Sequence, residues 1–175
     1  MKLQVAFELD ETDLKHFELI MREARKAAAN AAPEAIVNSA RLLLTRTRDA
    51  RIPDFVGQRL AKLEIMIKML EDHEWRLPAD DASKVLNALA YFCEPEDLIP
   101  DQVPGIGFLD DAIMIELVVA ELRHEIEAYM DFCSFRESQL PIKNSKNGSG
   151  AVSRTAWLDK RRAELQSRMR LRRKS

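Results

Sequence analysis

The sequence predicts an all-α protein: a single five-helix domain with a short N-terminal strand and a flexible basic C-terminal tail. Three observations predict it. Apolar residues recur at spacings of three and four through most of the chain, the period of one helix face. Only residues 2–9 alternate with a period of two. After Pro141 the composition turns to Lys, Asn, Ser and Gly, the signature of a polar linker. The helical domain is therefore placed at residues 1–141, with linker and basic tail at 142–175, helical from about 155.

Residues Leu3, Val5, Phe7 and Leu9 share one face of the opening segment, opposite Lys2, Gln4, Ala6 and Glu8. That is the pattern of a half-buried strand. A lone strand leaves its backbone groups unpaired, so Leu3, Val5 and Phe7 predict antiparallel pairing with a second copy, a homodimer. An extended leader lying on the helices is the alternative. The first helix carries Leu14, Phe17, Met21, Ala24, Ala28 and Ala31, with Thr12 or Asp13 as N-cap. Pro33 suits the first turn of the second, which bears Ile36, Ala40, Leu43, Leu44 and Thr47. The third starts at Pro53 and carries Val56, Leu60, Leu63, Ile67 and Leu70. Asp80 or Asp81 caps the fourth, with Val85, Leu86, Leu89, Phe92 and Cys93. The fifth runs from about Asp111 to Phe135, and its first half is apolar nearly all round, which predicts deep burial.

With 175 residues, 46% hydrophobic and 32% charged, the chain can bury a core in one domain. Met1–Leu9 has no continuous apolar stretch of the kind a signal peptide needs. No run approaches the ~18 apolar residues of a membrane span, so a cytoplasmic protein is expected. Cys93 and Cys133 have no CxxC spacing; they read as small core hydrophobes in a reducing compartment. The net charge of −2 conceals an asymmetry. Through Ile142 there are 16 Lys and Arg against 27 Asp and Glu, and beyond it 11 against 2. Such a tail either binds an acidic partner, nucleic acid or protein, or folds back on its own acidic body. The candidate binding residues are Arg161, Arg162, Arg168, Arg170, Arg172 and Arg173. Trp157 is the tail's one aromatic residue, so phosphate contacts rather than base stacking would carry nucleic-acid binding.

Between the fourth and fifth helices, residues 94–111 hold three prolines, two glycines and six carboxylates. The prolines fix φ and the glycines relax it, while Leu98, Ile99, Val103, Ile106 and Phe108 anchor the turn. The carboxylates admit two roles. Asp97 or Asp101 can close a helical turn, while Asp110 caps the fifth helix and Asp111 complements its positive end. Alternatively Asp97, Asp101, Asp110 and Asp111 supply oxygen ligands for Mg²⁺ or Ca²⁺. Glu121-x-x-His124 has the spacing of a di-iron half-site, but Asp13-x-x-His16 is an imperfect second half.

Pro95, Asp97, Leu98, Ile99, Pro100, Asp101, Pro104, Gly107, Asp110 and Asp111 together resemble the signature of the YkvA-like family, domain of unknown function 1232. The resemblance implies a helical hairpin at about 83–135 and no settled activity. The expected function is that of a non-catalytic interaction or regulatory module without a resident cofactor. A metal-dependent enzyme using the motif carboxylates, and nucleic-acid binding through the tail, are the alternatives.

Overall fold

The computed structural model describes residues 8–48, 50, 52–93, 99, 103, 106–138 and 149–174, with side chains of the last helix from 155 onward. The helices are α1 Glu11–Ala27, α2 Pro33–Arg48, α3 Asp54–Glu71, α4 Ala79–Leu89, α5 Leu109–Glu121, α6 Arg123–Ser138 and α7 Ser149–Arg172, with a 3-10 turn at Ala90–Cys93. The all-α reading holds, but five helices with a strand do not: among the described residues there are seven α-helices and no strand. The expected strand residues Leu3, Val5 and Phe7 lie outside the described residues. Two features account for the helix count. The predicted fifth helix divides at Leu122 into α5 and α6, and the tail, read as helical from about 155, holds α7, which is additional to the five helices of the domain.

The chain forms two compact units. The first comprises residues 1–60 and 86–118, and the second 61–85 and 119–175. In the first, α1 opens on a capping box two or three residues earlier than the sequence suggests. The N-cap is Asp10, whose Oδ1 accepts the Thr12 and Asp13 N–H groups at 2.7 and 2.9 Å, while Asp13 Oδ2 accepts the Asp10 N–H at 3.0 Å. This satisfies donors that a helix start leaves open. Pro33 is the first residue of α2, where its missing N–H costs nothing. Both α1 and α2 pack on the 3-10 turn. Their buried residues, Met21, Ala24, Ile36, Val37, Ala40 and Leu43, follow the three–four spacing.

In the second unit, α6 packs along α7. The α7 residues Leu158, Leu165 and Met169 are buried, spaced seven and four apart as one stripe of a helix requires. Burial of an apolar side chain of this size is worth about 1.5–3 kcal/mol, which supplies a reason for the tail to fold. Trp75 is fully buried, its ring centroid 5.8 Å from that of Tyr129 and 5.2 Å from that of Phe132.

Candidate functional site

The motif connection meets α5 through a carboxylate. Asp110 and Asp111 occupy the first turn of α5 and are both buried. Asp110 Oδ2 accepts the Ile99 N–H at 3.1 Å, so it ties the connection to the helix as well as sitting at the helix's positive end. Val103 O accepts the N–H groups of Ile106 and Gly107 at 3.3 and 2.9 Å, turning the chain into α5. Of the four carboxylates suggested as Mg²⁺ or Ca²⁺ ligands, Asp110 and Asp111 are therefore adjacent and inward. Asp97 and Asp101 lie outside the described residues. Among the described residues no group of three or more His, Cys, Asp or Glu stands in metal-holding geometry.

A second polar construction lies on the turn after α3. Asp72 Oδ1 accepts the N–H groups of Glu74 and Trp75 at 2.9 and 3.0 Å, and Oδ2 accepts the Tyr129 hydroxyl at 3.0 Å and Arg136 Nη1 at 2.7 Å. Burial pushes the Asp72 carboxyl up, but the Trp75 N–H, the Arg136 guanidinium and the Tyr129 hydroxyl outweigh it and hold the group below its ordinary value. Burial, with Cys133 and Asp72 adding to it, raises Tyr129. The same turn carries Arg76 at φ 48, a left-handed conformation uncommon outside glycine.

From the other side α7 clamps this turn. Arg162 Nη1 donates to the Glu74 carbonyl at 3.1 Å, and Gln166 Nε2 donates to the carbonyls of Trp75 and Arg76 at 3.0 and 3.3 Å. At its far end Arg173 Nη1 reaches Asp81 at 2.7 Å and Glu125 at 3.1 Å, and Glu125 also takes Lys84 Nζ at 2.8 Å. Asp81 and Glu125 are buried. Burial raises the Glu125 carboxyl, yet Lys84 and Arg173 bring it below its ordinary value. No motif marked Asp72, Glu125 or Gln166 in the sequence; only the excess of acid before Ile142 and of base after it hinted at such pairing.

The six arginines singled out in the tail are thus unequal. Arg162 and Arg173 point into the second unit, as described. Arg161 sits 5.7 Å from the Phe135 ring centroid and pairs with Glu164 at 3.1 Å; Arg168 also pairs with Glu164, and Arg172 lies 3.4 Å from Glu127. Arg170 is exposed and makes no ion pair among the described residues. The opposite side of α7 is a distinct surface. Trp157, Lys160, Leu171 and Lys174 recur there at helical spacing, with Arg170 beside them. Trp157 is 53% exposed and Leu171 65%.

Fold and sequence together define an all-helical protein with an acidic, proline-rich segment between two of its helices. Residues 84–117 match the family model described as Protein of unknown function (DUF1232), and the chain is YkvA-like on that segment. Over 42 residues it is 38% identical to "Uncharacterized membrane protein YkvA" of Bacillus subtilis (strain 168). The match covers 24% of this chain and 40% of that protein's own length. No solved structure matches. No helix among the described residues is long and apolar enough to cross a membrane.

Proposed function

We propose that this chain is a non-catalytic interaction module of the cytoplasm that rests on an anionic lipid surface through the outward side of α7. The observation that carries the reading is the composition of that side. Lys160, Arg170 and Lys174 make no ion pair among the described residues, and Trp157 and Leu171 stand exposed on the same face. Basic groups near an anionic leaflet each contribute about 1 kcal/mol, and an amphipathic ring such as Trp suits the headgroup layer. Several buried or half-buried carboxylates among the described residues serve as structural acceptors. Asp110 holds the Ile99 N–H, Asp72 holds a turn, and Glu125 holds Lys84 and Arg173. The Bacillus subtilis relative bears the name of a membrane protein, which agrees with a lipid partner.

The test is co-sedimentation with vesicles of phosphatidylcholine alone and of phosphatidylcholine with phosphatidylglycerol. Binding to the anionic vesicles is expected, weakened by salt and reduced by a hundredfold or more in Lys160→Glu/Arg170→Glu/Lys174→Glu, given ~1 kcal/mol per basic group. No binding to anionic vesicles at ~50 mM salt, or duplex DNA bound where vesicles are not, overturns the reading; the second result would favour nucleic acid.

A further inference from the structure

Three charged side chains converge in the middle of the outward side of α7. Arg161 Nη1 donates to Glu164 Oε2 at 3.1 Å, and Arg168 Nη2 donates to Glu164 Oε1 from the next turn. Two guanidiniums thus share one carboxylate, one on each oxygen, and the group keeps one positive charge that nothing among the described residues offsets. Lys160, one turn before Glu164 and exposed, adds a second. Arg161 lies 5.7 Å from the centroid of the Phe135 ring, a cation–π contact that fixes where its guanidinium sits. Arg161 and Glu164 are half-buried and Arg168 is exposed. Trp157 and Leu171 flank the group: residues 157, 161, 164, 168 and 171 follow one another at spacings of four and three, the repeat of a single helix face. From Trp157 to Leu171 that face runs about 21 Å.

We infer that Arg161 and Arg168, with Glu164 between them, form a binding site for one phosphate group, which the lipid reading of α7 makes the phosphate of a headgroup. The source of the phosphate rests on that reading; the site itself does not. Three considerations carry it. The surplus positive charge of the three side chains equals the single negative charge of a phosphodiester. Each guanidinium uses one donor on Glu164 out of the five it has, which leaves donors on both for the oxygens of a tetrahedral group. Arginine grips phosphate through two parallel hydrogen bonds, where lysine acts as a point charge. The third consideration is placement. Trp157 and Leu171 are the exposed apolar ends of the same face, and with both at the headgroup layer the two arginines between them stand at the depth of the phosphates. Glu164 is then the counter-ion of the empty site: it holds the two guanidiniums together and shares them with the phosphate when one arrives.

The experiment uses the full chain. Arg161→Lys/Arg168→Lys keeps every charge and removes both forks, so attraction by charge alone would leave vesicle binding unchanged. A phosphate site instead loses about tenfold in affinity for vesicles of phosphatidylcholine with phosphatidylglycerol. In NMR spectra of the wild type, the Nε–Hε resonances of Arg161 and Arg168 should move with inorganic phosphate further than with sodium chloride at equal ionic strength. Those of Arg173, held by Asp81 and Glu125, should stay in place. An unchanged thermal midpoint shows that the double variant is folded. Should loss of the Arg161–Phe135 contact unfold it, Arg168→Lys alone carries the test with a loss of about threefold. Vesicle binding that survives these substitutions but is abolished in Lys160→Glu/Arg170→Glu/Lys174→Glu overturns the inference and leaves the lipid reading standing. Arginine resonances that phosphate moves no further than chloride overturn it too. Resonances that answer phosphate in a protein that ignores vesicles sink the lipid reading instead and make this a site for free phosphate.

Discussion

Asp72→Ala removes one carboxylate and four hydrogen bonds at once. Two come from the Glu74 and Trp75 N–H groups, and their loss resembles loss of a helix cap, about 1 kcal/mol. The Tyr129 hydroxyl adds about 1 kcal/mol. The Arg136 contact is charge-assisted, worth about 1.5–3 kcal/mol, discounted because the guanidinium keeps Glu74 at 3.1 Å and is partly solvated. Allowing for non-additivity, the expected loss is about 3 kcal/mol at pH 7. Urea unfolding followed by fluorescence of buried Trp75 measures it, in a Trp157→Phe background that removes the exposed indole. The pH dependence is a second readout. Asp72 is held below its ordinary value of 3.8, so the folded state binds its proton less tightly than the unfolded chain. Its contribution is complete above about pH 5 and is lost as pH falls below about 4 through the folded value. The gap between wild type and Asp72→Ala should therefore narrow in acid. A gap under ~1 kcal/mol at pH 7, or one that stays constant down to pH 3, refutes the account of Asp72 as the centre of the turn.

Arg173→Ala leaves buried Asp81 without this cation and Glu125 with Lys84 alone, so it should cost about 1–3 kcal/mol. Lys174→Ala, next along the chain, should leave the unfolding midpoint where it was. Asp110→Ala strips the Ile99 N–H of its acceptor and should cost about 1–2 kcal/mol, read as a lowered thermal midpoint.

The helical stripes were legible because burial selects one face and the spacing of apolar residues records it. Pro33 also stood where the sequence placed it, opening α2. The break at Leu122 was not legible: no Pro or Gly marks it, and a segment apolar nearly all round carries no phase from which a bend can be read. The tail was legible in part: a helix from about 155 and a fold-back on acidic residues were among its readings, but the flexible reading competed with them. Its basic excess reads as solvated, yet Leu158, Leu165 and Met169 form an apolar stripe seven and four apart, and Arg162 and Arg173 find acceptors in residues far back along the chain. Asp72 was hidden because its partners Tyr129 and Arg136 are 57 and 64 residues away, and no local pattern encodes such a meeting. The first-helix cap was misplaced by two or three residues because Asp10, Thr12 and Asp13 are all competent caps, and only geometry shows that Asp10 and Asp13 serve each other.

The clamp on the turn after α3 also sets a clock on synthesis. The carbonyls of Glu74, Trp75 and Arg76 accept hydrogen bonds from side chains 88, 91 and 90 residues further on. At a translation rate of 5–20 residues per second, those carbonyls wait roughly 5–20 s for Arg162 and Gln166 to be made. Until then the side of Trp75 that α7 will approach is bare, and three consecutive acceptors are open to water or to any passing donor. A product that stops short of Gln166 therefore keeps that signature for as long as it exists. The second unit of this protein distinguishes, at a single turn, a chain that has reached Gln166 from one that has not.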